Sequence, residues 1–106
     1  MTYRHLKDTV ALAPPGIHLA LLDALLTAAD VYARWGYPLV VTSLGDSQHT
    51  PHSLHYEGKA ADLRVRHLPI HDRPAVVREL QHALGPQYDV LLEVDHIHLE
   101  YDPPTP

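Results

Sequence analysis

Two stretches of this chain alternate strictly between apolar and polar residues, and that alternation limits the fold more than anything else in the sequence. In Ala60 to Arg66, the side chains of Ala61, Leu63 and Val65 fall to one side and those of Asp62, Arg64 and Arg66 to the other. In His96 to Tyr101, Ile97, Leu99 and Tyr101 oppose His96, His98 and Glu100. Each stretch reads as a strand with one face for a core and one face for something polar. Two imidazoles and a carboxylate on the same face point to a site.

The rest of the chain supplies the cover for such a sheet. Ile17 to Arg34 has helical spacing, with Leu21, Leu22, Leu25, Ala28, Ala29 and Tyr32 on one face and Asp23, Thr27, Asp30 and Arg34 on the other. Gly36 suits its C-terminal stop. Leu39 to Thr42 reads as a short buried strand, and Ser43 to His52 as a loop. A second helix is expected over Arg73 to Leu84, with Asp72 as its cap, Pro74 in the first turn and Gly85-Pro86 at the end. Asp89 to Glu93 and His96 to Tyr101 should form a hairpin. Pro14-Pro15-Gly16 closes an irregular N-terminal arm, and Pro103-Pro104 opens a short tail. The order helix, strand, strand, helix, strand, strand implies an α+β fold with a mostly antiparallel sheet. At 106 residues, with no linker or repeat, 1–106 reads as one domain.

Composition narrows the chemistry. There is no cysteine, so a metal site must be built from histidine and carboxylate, and the ten histidines make such a site worth seeking. A net charge of −5 argues against nucleic acid as a partner. Asp23 breaks the apolar stretch around Leu19 to Ala29, so no membrane span or signal peptide is expected and the chain reads as soluble.

Between Ser53 and Asp62 the sequence places His55 and Asp62 around Gly58, which permits a turn, and Ala60, which permits close approach. With His98, these would give two nitrogens and one oxygen and leave a fourth position open, the pattern of a catalytic zinc site.

This Ser-Leu-His-Tyr-Glu-Gly-Lys-Ala-Ala-Asp segment resembles the Ser-x-His-x-x-Gly-x-Ala-x-Asp signature of the zinc D-alanyl-D-alanine carboxypeptidase and phage endolysin family. It is similar as well to the amino-terminal signalling domain of hedgehog proteins, and His96-Ile97-His98 resembles the His-x-His of both groups. The likeness runs from Val41 to Tyr101. It implies a small hedgehog-like or D,D-peptidase-like domain, an antiparallel sheet flanked by helices, with Zn2+ held by His55, Asp62 and His98. It also implies a metallopeptidase acting on peptidoglycan stem peptides, as a carboxypeptidase or an endopeptidase, in the manner of a phage-encoded cell-wall enzyme; a monomer is expected.

Asp95, three residues before His98, matches the general base of that family. Glu93 competes, standing three residues before His96. His96 would stabilise an oxyanion or orient a ligand, and His49 is a further candidate for that task. Ser53 reads as a brace for the His55 turn. His5, His18, His52, His67, His71 and His82 read as surface residues. Thr42-Ser43 matches the family, but Leu44-Gly45-Asp46 follows where those peptidases carry a carboxylate-binding arginine. Arg64 and Arg66 are alternatives on the Asp62 side, and a solvated strand face is the plainer account of them. The competing readings are a non-catalytic, zinc-containing binding module and a purely structural zinc.

Overall fold

The computed structural model describes residues 18–44 and 59–103 with their side chains, and the backbone of residues 4–6. Six described segments carry the core: α1 (Leu19–Arg34), β2 (Leu39–Leu44), β3 (Ala60–Arg64), α2 (Arg73–Leu84), β4 (Tyr88–Leu92) and β5 (His96–Tyr101). They follow β1 (Arg4–Leu6), which the sequence reading left inside an irregular arm. The strands form one sheet in the order β1-β2-β3-β5-β4, parallel between β1 and β2 and antiparallel elsewhere. A three-residue strand gives too short a pattern to be read from side chains. The α+β class holds.

The alternation in β3 and β5 sorts the residues as expected. Ala61, Leu63, Val65, Ile97 and Leu99 are completely buried. They meet Val41, Leu44 and Val90 from neighbouring strands, and Leu21, Leu25, Ala28, Tyr32, Val76 and Leu80 from the helices. Each such leucine or isoleucine contributes roughly 1.5–3 kcal/mol by leaving water. Both helices contribute to this one cluster, so among the described residues they cover a single face of the sheet and do not flank it on two sides. The opposite face carries Asp62, Arg64, His96, His98 and Glu100.

Local chemistry explains the helix ends. The His18 imidazole accepts a hydrogen bond from the Ala20 N–H at 3.0 Å and so caps α1. At the other end Gly36 has φ of 85°. Its N–H donates to Ala33 and that of Tyr37 donates to Tyr32, which satisfies the last carbonyls in a Schellman arrangement. Leu22 departs from the expected apolar face: it is exposed, while Ala24 and Val31 are buried. The buried arc of α1 is turned because the helix packs on α2 as well as on the sheet. Trp35 and Arg34, at the end of α1, bind the Glu79 carboxylate of α2 at 2.6 and 2.9 Å. That pairing holds the carboxyl below its ordinary range, the Trp35 bond contributing most.

Helix α2 has the expected bounds, but Asp72 is not its side-chain cap. A 3-10 turn over Ile70–Asp72 runs directly into the helix. Asp72 therefore has helical dihedrals, unlike the extended residue that capping uses, and its side chain makes no cap bond. Gly85, with φ of 87°, ends the helix as expected, and the Gln81 amide ties that end to β4 through the Gly85 and Tyr88 carbonyls.

Strand β2 is longer than the sequence suggests. Val41 pairs with Leu63, but Ser43 pairs with Asp62, and the extra residue between them is Thr42. This bulge resets the alternation, so Leu44 returns to the core and Ser43 shares a register position with Asp62. Strict alternation from Val41 would have put Leu44 on the polar side; the strand reads as ending at Thr42 because the Gly, Ser, Asp and Pro content of Ser43 to His52 reads as a loop.

Candidate metal centre

The open face is organised by register. Asp62 stands opposite His98, and Arg64 opposite His96, across the antiparallel β3–β5 pair. Directly opposed residues share a face and lie within reach of each other. The Asp62 carboxylate is 3.1 Å from His98 Nδ1 and 3.7 Å from His96 Nε2. His98 Nε2 lies 2.7 Å from Glu100, and His96 Nδ1 lies 2.8 Å from Asp95. The five side chains form an alternating line of carboxylate and imidazole: Asp95, His96, Asp62, His98, Glu100.

Alternation has electrostatic consequences. The carboxylates of Asp62 and Glu100 hold the His98 imidazole above its ordinary pKa, with the Asp62 hydrogen bond first among the causes and partial burial opposing. Asp95 is held below the usual carboxylate range, chiefly by its hydrogen bond with His96. A polar cleft of about 190 Å³ opens beside this line, lined by Thr42, Asp62, Arg64, Arg66, Asp95 and His96. Arg66 approaches Asp95 at 4.0 Å, a loose and exposed pair. Arg64 is half-buried, and among the described residues its guanidinium has no hydrogen bond or ion pair.

Of the expected ligands, the fold therefore brings Asp62 and His98 together, whereas His55 lies outside the described residues, as do His49 and Ser53. Tetrahedral zinc, with bonds of about 2.0–2.1 Å to nitrogen and oxygen, sets ligand atoms about 3.3 Å apart. The 3.1 Å between Asp62 Oδ1 and His98 Nδ1 is close to that edge and is equally an ordinary hydrogen-bond length, so it is compatible with such an ion without indicating one. Asp95 lines the cleft. Glu93 is exposed at the hairpin end and does not line it. Among the described residues the group with three ligand atoms mutually within 4.8 Å is Asp89, Glu100 and Asp102. It is an exposed acidic cluster of a kind common without an ion, and it does not establish a metal.

One surface expectation changes. His67 is half-buried, with Nε2 2.8 Å from the Pro38 carbonyl and its ring against Tyr32 and Tyr37. Its position just after β3 makes it a packing residue. His18 is exposed, as expected, while it caps α1 and stacks on Tyr101. His71 and His82 are exposed. Glu100 was placed on the site face by the sequence but given no task, although its spacing of two from His98 within a strand was the available signal. No helix among the described residues is long and apolar enough to cross a membrane.

Comparison with known proteins found no matching family model, no matching curated protein and no matching solved structure.

Proposed function

We propose that this chain is a zinc-dependent metallopeptidase acting on peptidoglycan stem peptides, with His55, Asp62 and His98 as ligands. The observation that carries the reading is the Asp62–His98 pair, 3.1 Å apart on an open sheet face, with the Asp95 carboxylate lining the same cleft. Zinc, when bound, would supply a Lewis acid and a water that ionises near neutrality.

The chain's own residues then have distinct tasks. Asp95 is ionised, and its carboxylate takes the proton of the attacking water and returns it to the leaving amine. The 2.8 Å contact with His96 keeps that carboxylate at the cleft. His96 lies between Asp95 and Asp62, and with both ring nitrogens protonated its Nε2–H would donate to the oxygen of a peptide carbonyl as charge develops there. Arg64 answers the missing family arginine: it offers a fork of donors that matches a terminal carboxylate. Carboxypeptidase action on a D-alanyl-D-alanine end is thus the preferred form.

The test is elemental analysis of wild type and His55→Ala, with both incubated on muropeptides. About one zinc per chain and release of terminal D-alanine, both lost in the variant, are the expected results. Zinc without hydrolysis would favour the non-catalytic binding module, and no zinc in wild type would remove the metal reading.

A further inference from the structure

The described sheet ends at β4, and two hydrogen bonds fix which way the backbone groups of that strand point. The Glu93 N–H donates to the His96 carbonyl and the Asp102 N–H to the Gln87 carbonyl, both at 2.8 Å. Bonded positions alternate with unbonded ones along an antiparallel pair, so Gln87, Asp89, Leu91 and Glu93 turn their backbone groups toward β5. Tyr88, Val90 and Leu92 turn theirs outward. The Tyr88 carbonyl accepts from the Gln81 amide at 2.8 Å. Among the described residues, the outward N–H and C=O groups of Val90 and Leu92 have no partner.

This edge lacks the usual guards against pairing. From Tyr88 to Glu93 there is no proline, lysine or bulge, and Leu91 and Leu92 are exposed. Asp89, Leu91 and Glu93 lie opposite Glu100, His98 and His96 and so share the open face. A second copy fits this edge poorly. The register that uses both outward positions of each copy sets Leu91 against Leu91 and Asp89 against Glu93, and like charges directly opposed are destabilising.

We propose that the β4 edge is a docking surface for an extended peptide of pattern basic-x-apolar-x-basic, added antiparallel as a further strand. The two x residues exchange backbone hydrogen bonds with Val90 and Leu92. The apolar residue lies beside Leu91, and the two cations lie beside Glu93 and Asp89, the latter close to Glu100 and Asp102. This surface does not depend on the metallopeptidase reading.

The test uses nuclear magnetic resonance of the whole chain, with acetyl-Thr-Lys-Thr-Val-Thr-Lys-Thr-amide as the probe. In the free protein the Val90 and Leu92 amides should exchange faster than those of Asp89 and Leu91, and saturating peptide should slow them at least about tenfold. Replacing both peptide lysines by glutamate should weaken binding at least about tenfold at low salt, and the double variant Asp89→Lys, Glu93→Lys should reverse that preference. Leu92→Pro removes only an outward N–H, so the β4–β5 ladder should persist while peptide affinity falls at least about tenfold. Should that variant fail to fold, the charge-reversed one still decides.

Unperturbed Val90 and Leu92 amides at millimolar peptide overturn the proposal, as does equal binding of the lysine and glutamate peptides. Protection of both amides in the free monomer would show that the chain's own residues cover the edge. Protection accompanied by a dimeric mass would show a second copy there. Either result also overturns it.

Discussion

The two faces of this sheet are built from alternate residues of the same strands, yet they answer to different physics. On the helix-covered face, Leu63, Ile97 and Leu99 are held by contact area, and any side chain of similar volume would serve nearly as well. On the open face, Asp62, His96 and His98 are held by a few directional contacts that no isostere reproduces. Neighbours in sequence therefore differ in what their loss should cost. Leu63 should matter to stability and Arg64 to recognition, although one peptide bond joins them.

The largest effect is expected on the open face. Asp95→Asn should lower hydrolysis by roughly 10²–10⁴-fold with zinc content and melting temperature preserved. Glu93→Gln should leave the rate near that of wild type. Equal losses in both would assign the base wrongly. On the covered face, Leu63→Ala should cost about 2–5 kcal/mol in chemical denaturation, because the cavity is enclosed on every side. Arg64→Ala should change stability by less than about 0.5 kcal/mol. It should weaken turnover of a peptide ending in a free carboxylate while sparing the same peptide amidated. If both peptides suffer alike, Arg64 has no part in reading the terminus.

One contact crosses between the faces. The buried Tyr32 hydroxyl donates to the Arg64 carbonyl at 2.9 Å, and burial pushes its pKa far up. Tyr32→Phe leaves that carbonyl short of a donor and should cost about 1–2 kcal/mol by denaturation.

The smallest effect concerns pH. The Glu79 carboxyl, below its ordinary 4.5 in the folded chain, takes up its proton more readily when unfolded. Its contribution is therefore present at neutrality and is lost as acid carries the solution below about 4.5 and through the folded value. Glu79→Gln should flatten the acid limb of the stability curve, with a loss at pH 7 of about 0.5–1 kcal/mol, since the pair is partly solvated.

What the sequence disclosed follows the same division. Periodicity reports which side a residue takes, so Ala61, Leu63, Val65, Ile97 and Leu99 were placed in the core, and Asp62, His96, His98 and Glu100 opposite them, without a structure. Periodicity does not report register. The pairing of Asp62 with His98 depends on the turn lengths between strands, and the Thr42 bulge inverts the alternation with no change in composition. Nor does it report layers: both helices are amphipathic, and nothing in their spacing says that they share one face. β1 escaped for another reason, since the parallel pairing of Arg4–Leu6 depends on a distant partner, Leu39–Val41. Leu22 was misplaced because α1 has two neighbours, which widens and turns its buried arc.

The chain has a single tryptophan, and it sits where α1 meets α2, its indole N–H on Glu79. Its fluorescence is thus a spectroscopic witness for the helix layer alone. Emission should follow separation of α1 from α2 during unfolding, yet change little when a ligand occupies the cleft across the sheet. An optical titration of the cleft would need a new chromophore, and a silent tryptophan signal would be no evidence that the cleft is empty.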